Sequence, residues 1–405
     1  MQDQRARFGF WRCLYSLGVL ASLASTGCSK TPTPGSSPTD TPAPKAPVTL
    51  NVVDVAGSLA LLQDAISLYA TKNPNLVDKV NFTKAPAPEL PGKLKAMQAA
   101  GRSDIDLVLG GTDILAAGVE QGLWTPMLPD HADAFPGVLD GYRPQALEMQ
   151  KLAQGQALAV VYMPAGPLIE YNPAKVSMPP HTPAELLAWC KAHPKRFIYA
   201  RPSNSGPGRT FLMGLPYLLH DSDPKDPIHG WDKSWAFLKE LNSCIEYYPT
   251  GTSATMKEFG EGSRDMTVTV PGWDINPRAL GIVPKAYQVA AFQGMTWVDD
   301  TQYLMVPKAI PADRLSVILG LMKFLLEPAQ QALTYDKGYF YPGPAVKDVP
   351  LTMAPQASQD VLREFGRPEY DQWMQQFPHV QPLEAKMLVA AFQHWDQEIG
   401  AQRTK

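Results

Sequence analysis

LKAMQAAGRSDIDLVLGGTDILAAGVEQG, residues 94–122, sets the fold class. Leu94–Ala100 carries its apolar residues at helical spacing, and Gly101 supplies the usual stop. Ile105–Leu109 then reads IDLVL, a short apolar run of the kind found in strands buried on both faces. Ile114–Gly122 returns to a helical pattern, again closed by a glycine. Upstream, Val48–Val55 (VTLNVVDV) and Val80–Lys84 read as strands. Between them, Leu59–Lys72 places Leu62, Ile66 and Tyr69 on one helical face. A βαβαβα series of this kind predicts a mostly parallel sheet covered on both faces.

Downstream the series pauses and resumes. Ala157–Met163 and Ile169–Asn172 form a strand-rich passage. Thr182 then caps a helix whose first residue is Pro183. Strands are predicted at Phe197–Ala200, Met266–Val270, Tyr287–Phe292 and Tyr303–Val306, and helices at Thr210–Leu219 and Trp235–Ile245. Beyond Ala312 the pattern is mainly helical, with Leu315–Leu326 strongly apolar. Two α/β series separated by strands predict two lobes, with the helical C-terminus returning to the first. No internal repeat is visible.

The formal net charge of −3 and a charged fraction of 19% provide no basic stripe for nucleic acid. At the other end, residues 1–28 read as an export signal. Arg5, Arg7 and Arg12 precede an apolar run from Cys13 to Leu23 that is too short to span a bilayer. Ser25-Thr26-Gly27-Cys28 resembles a bacterial lipobox, which implies a lipid on Cys28; the usual leucine three residues before the cysteine is replaced by Ser25. Residues 29–47, SKTPTPGSSPTDTPAPKAP, have the composition of a tether. Once exported, Cys190 and Cys244 are either disulfide-bonded or two buried thiols.

The order of segments resembles the extracellular solute-binding proteins of bacterial ABC importers. Residues 94–122, Tyr171-Asn172-Pro173 and FLLEPAQQ at 324–331 carry the likeness, and the polyamine, thiamine and iron binders form the nearest branch. The resemblance implies an α/β, two-lobed periplasmic-binding-protein-like fold of type II, each lobe a mostly parallel sheet flanked by helices and joined by hinge strands. Residues 48–165 with 295–405 would form lobe 1, and residues 166–294 lobe 2. It further implies an interlobe cleft for a small-molecule solute, delivery to membrane permease subunits, a monomer, and no cofactor.

Loops at the carboxyl ends of strands are the expected ligand contacts in such sheets. They point to Ser58, Thr112 and Asp113 in the first lobe, with Asp113 serving either as a helix cap or as a cation ligand. The stretch RPSNSGPGRT, residues 201–210, opens a helix with Ser203, Ser205, Arg209 and Thr210 and suits an anion. Trp273-Asp274, Trp297 with Asp300, and Tyr339 suit an organic cation. A zwitterion or a phosphorylated amine would satisfy both signals. G-x-S-x-G and HExxH motifs are absent, and the seven histidines are scattered through loop-like stretches, so an enzyme is not expected.

Overall fold

The computed structural model describes residues 44–55, 57–86 and 89–403. The export signal, Cys28 and nearly all of the tether therefore lie outside the described residues. The first sheet contains β1 (Val48–Asp54), β2 (Val77–Lys84) and β3 (Leu107–Gly110) in parallel, with β1 in the middle. They alternate with α1 (Leu59–Lys72), α2 (Leu90–Ala99) and α3 (Thr112–Glu120). Leu61, Leu62, Ala65, Ile66 and Tyr69 turn the buried face of α1 inward. The series predicted from residues 48–122 is present, with β2 and α2 starting three and four residues earlier than their apolar patterns suggest.

The sheet continues through strands that run the other way. β4 (Ala157–Pro164) and β9 (Trp297–Met305) pair antiparallel with each other, and β9 pairs antiparallel with β3. β10 (Gly343–Pro344) edges β4, and β11 (His379–Val380) adds a short parallel pair to β9. The spatial order is β10-β4-β9-β3-β1-β2. The sheet is thus mixed rather than mostly parallel. The reason is topological: one chain segment leaves this sheet and another re-enters it, so the two cross in opposite directions.

Every residue of β4 and β9 is buried. Their side chains alternate between two apolar layers. Ala157, Ala159, Tyr303 and Met305 join Tyr142, Ala146 and Met149 on one face, where α4 (Pro144–Leu152) packs. Leu158, Val160, Leu304 and Val306 join Leu62, Ile66, Ile318 and Leu321 on the other, under α1 and α10 (Ala312–Leu325). The helical pattern of residues 315–326 is therefore the outer cover of this sheet.

The second sheet is smaller, ordered β6-β7-β5-β8. It is built from β5 (Leu168–Tyr171), β6 (Phe197–Ile198), β7 (Met266–Thr269) and β8 (Gln288–Ala291). β5 runs antiparallel to both β7 and β8, and only β6 pairs parallel. Its helices are α5 (Pro183–Ala192), α6 (Gly206–Leu218), α7 (Asp232–Asn242), α8 (Thr252–Gly260) and α9 (Pro271–Ala279). Thr182 caps α5 with a complete capping box to Glu185. A disulfide joins Cys190 of α5 to Cys244, just past α7.

Residues 165–167 carry the chain from β4 to β5, and residues 292–296 bring it back from β8 to β9. The crossings are tied to one another: Ala165 N–H donates to Val298 O at 3.1 Å, and Val298 N–H to Gly166 O at 2.9 Å. The last helices are α11 (Gln356–Phe365), α12 (Pro368–Gln376) and α13 (Ala385–Glu398). They touch both sheets' surroundings. α11 packs on α9, and α13 packs on α3. Trp395 of α13 also donates its indole N–H to the Tyr199 hydroxyl at 3.1 Å. Among the described residues no helix is long and apolar enough to cross a membrane.

Candidate functional site

Three segments converge on a cavity of about 290 Å³, near the lower end for small-molecule sites. The first is the loop into α6. Ser205 is the N-cap, its Oγ accepting from Gly208 N–H at 3.1 Å. The same Oγ lies 2.8 Å from the Thr252 hydroxyl at the start of α8, fixing the two helix starts together. Gly208 is required by close approach, because a Cβ there would sit 2.5 Å from Ala200 O. The loop lies tight against the exit of β6, and Ser203, Asn204, Ser205 and Gly206 line the cavity.

The second segment is β9 with the start of α3. Asp300 faces the cavity and is held from several sides. Its carboxylate accepts from Thr112 Oγ1 at 2.5 Å, from Thr301 N–H at 2.9 Å, and from the Arg209 guanidinium of α6. Arg209 also lies 3.5 Å from Asp113 Oδ2. Burial opposes the Arg209 charge, but Asp300 and then Asp113 outweigh it and hold its pKa above the ordinary arginine value. One guanidinium thus faces two carboxylates. Asp113 keeps 19% of its side chain exposed, whereas Asp300 keeps 3%.

The third segment is aromatic. Trp273 meets Tyr339 edge-on at 5.6 Å between ring centres, and Phe340 lies tilted against Tyr339 at 4.5 Å. Burial, then Asp54 and Asp336, push the Tyr339 phenol up to about 12, so it stays a neutral donor. Gly272 sets this wall: a Cβ there would lie 2.0 Å from Tyr339 O. Gly272→Val is therefore expected to displace the 338–340 loop at a cost of about 1–3 kcal/mol. Chemical denaturation would measure that cost, and tryptophan fluorescence would report the moved wall. An unchanged spectrum and midpoint would contradict this packing.

Of the residues expected from sequence, Asp113, Ser203, Ser205, Arg209, Trp273, Asp300 and Tyr339 line the cavity. Ser58 and Thr112 stand one layer behind. Ser58 Oγ donates to Gln302 Oε1 at 2.7 Å, and Thr112 supports Asp300. Thr210 is fully buried and returns its hydroxyl to Gly206 O at 3.1 Å, as helical threonines do.

Asp274 and Trp297 are not brought to the cavity, and neither forms the Trp–Asp box expected from sequence. Trp273 and Asp274 are adjacent on a helix, so they point about 100° apart. Asp274 turns away and is enclosed by Arg278, Arg367 and Tyr370. Trp297 is fully buried, donating its indole N–H to Trp373 O at 3.0 Å. The stretch 297–300 is strand rather than loop, so side chains alternate and Asp300 faces opposite to Asp299. Asp299 meets His379 on the other side at 2.8 Å.

Asn204 and Phe340, which lie within the loops read from sequence, also line the cavity, as do Gln302 and Thr252, which were not anticipated. Gln302 was detectable in principle, since it lies two residues beyond Asp300 on one strand face. Thr252 was not, because its place depends on where α8 packs. Among the described residues no group of three or more His, Cys, Asp or Glu side chains is placed to hold a metal ion.

Known structures share this architecture. A putative spermidine/putrescine ABC transporter protein from Listeria monocytogenes superposes with a TM-score of 0.60 at 14% identity, covering 86% of this chain and 98% of that one. The periplasmic binding protein AfuA from Actinobacillus pleuropneumoniae, with fructose-6-phosphate bound, gives 0.63 at 16%, covering 87% and 98%. Apo ferric ion-binding protein A from Pasteurella haemolytica gives 0.60 at 14%, covering 86% and 97%. At these identities the likeness establishes the fold alone. No curated protein matches the sequence. The model of the bacterial extracellular solute-binding proteins does match, over residues 65–364, and the chain belongs to that family.

Proposed function

We propose that the protein is the substrate-binding component of an ABC importer and captures a small organic solute bearing an ammonium group. The solute is a polyamine-like cation or a zwitterion, held between the lobes and handed to membrane permease subunits without any bond being broken. The observation that carries this reading is Asp113. It is the most exposed carboxylate in a cavity where two carboxylates face one guanidinium. The Trp273 and Tyr339 rings beside it suit an organic cation. The spermidine/putrescine protein among the structural relatives is consistent with this choice.

Residues 48–165 with 295–405 are taken as one lobe and 166–294 as the other, with the paired crossings as hinge. A solute touching both lobes would favour the closed arrangement. Membership of an extracellular family makes the protein an exported one. Lipidation at Cys28, followed by the 29–47 tether, would keep a monomer near its permease.

A thermal-shift and calorimetric screen of amines, amino acids and phosphate esters tests the reading. An ammonium-bearing solute should raise the melting temperature. Asp113→Asn should weaken its binding about tenfold to a hundredfold, the range for a hydrogen bond to a charged group, while leaving the ligand-free melt close to wild type. Binding confined to anions and indifferent to Asp113→Asn would refute it. That second reading, a phosphate-bearing solute, draws on the Ser203–Gly206 lining at the start of α6.

A further inference from the structure

Gln302 lies on β9 two residues after Asp300 and on the same face of the strand, with 2% of its surface exposed. It lines the solute cavity. Its Oε1 is occupied by the Ser58 hydroxyl at 2.7 Å, and Ser58 is itself fully buried at the start of α1. Its Nε2 has no hydrogen-bond partner among the described residues. The opposite rotation of the amide would turn the carbonyl oxygen toward a cavity that already holds Asp113 and Asp300. Electrostatics therefore favour the orientation in which Ser58 takes the oxygen and the N–H₂ group faces the solute.

We propose that Gln302 is a specificity-determining residue of this cleft, with Ser58 as the residue that positions it. The inference rests on the ammonium reading above and narrows it. A solute that closes this cavity-facing amide off from water without giving it an acceptor loses affinity, so the cleft favours solutes that bring an oxygen to it. Arg209 also lines the cavity, but its charge is already balanced by Asp300, which accepts from Nη2, and by Asp113 3.5 Å from Nη1, so Gln302 is the uncharged donor beside that pair. The solute class is therefore one with an ammonium group for Asp113 and a carboxylate or comparable oxygen for Gln302. A plain diamine would place a second N–H donor against the Gln302 N–H₂ group and be disfavoured.

The test is isothermal titration of the full exported chain with a series of ω-amino acids and with the diamines of matching chain length. In the wild type, the best ω-amino acid should bind at least about tenfold more tightly than its matching diamine. Gln302→Glu replaces the donor by an acceptor of the same shape and should reverse that order. Ser58→Ala leaves Gln302 in place but frees its amide, and should bring the ratio of affinities toward one; Ser58→Thr should restore it. A merely structural role for Ser58 would alter both affinities together and leave their ratio untouched. Diamines equal to or tighter than the amino acids in the wild type would overturn the inference while leaving the ammonium reading intact. So would an affinity ratio insensitive to both Gln302→Glu and Ser58→Ala. Silence from both series would overturn the two together.

Discussion

Asp274→Asn is expected to destabilise the protein by about 3–5 kcal/mol, the range for breaking a buried ion pair by removing one partner. Asp274 is fully buried and accepts from Arg278 Nε at 2.9 Å, from Arg367 Nε and Nη2 at 2.8 Å, and from the Tyr370 hydroxyl at 2.6 Å. Its removal leaves two largely buried guanidinium groups without the carboxylate that binds them both. Arg367 belongs to the segment entering α12, so the network joins α9, beside the second sheet, to the C-terminal helices. Glu170 on β5 lies close enough to feel all three charges. Burial, and after it Asp274, drive its pKa well above the ordinary value, while Arg278 and Arg367 oppose them.

Removing the Asp274 charge should therefore lower the Glu170 pKa and let that carboxylate replace part of what was lost. Glu170→Gln in the Asp274→Asn background should remove this compensation, giving a double-mutant loss larger than the sum of the single ones. The sign for Glu170 follows from its raised pKa. As pH climbs above the ordinary glutamate range the unfolded chain loses this proton while folded Glu170 keeps it, so stability at this site falls with rising pH and is recovered toward acid. Urea unfolding followed by circular dichroism measures each effect. A loss under about 1 kcal/mol for Asp274→Asn would show that the network does not anchor α9 to the C-terminal helices.

Removing the Cys190–Cys244 disulfide is expected to cost about 4 kcal/mol in the chain-entropy model, because the bond closes a loop between residues 54 apart in sequence. Both cysteines are buried, Cys190 on α5 and Cys244 just past α7, and neither lines the solute cavity. The double replacement Cys190→Ser, Cys244→Ser should lower the urea midpoint without changing solute selectivity. Reductant in the unfolding buffer should lower the wild-type midpoint by a similar amount and leave the double variant unmoved. Equal midpoints for wild type and variant under oxidising conditions would contradict the expected stabilisation.

The limits of sequence reading are clearest on β9. Tyr303–Val306 was legible as a strand because its residues are apolar. Residues 297–302 were not, because WVDDTQ is polar at four of its six positions and reads as loop. In the fold this polar stretch is buried, paired with β4 and at its start with β11, and Asp299 and Asp300 find partners on opposite faces. Had the strand been extended to Trp297, the period of two would have separated Asp300 and Gln302 from Asp299. The same difficulty separates Trp273 from Asp274. Without knowing that residues 271–279 form a helix, adjacency in sequence suggested one box where geometry makes two directions.

By itself the sequence determined the alternation of strands and helices, the two α/β series, the cap at Thr182 and the loop that opens α6. These depend on local periodicity and capping chemistry, which neighbouring residues decide. Only the tertiary structure decided which charged groups meet. Arg209 and Asp300 are 91 residues apart, Ser58 and Gln302 are 244 apart, and Asp274 and Arg367 are 93 apart. Whether a buried carboxylate serves a solute or an internal arginine depends on such long-range partners, because charge removed from water is stable only where a counter-charge or donor is brought to it.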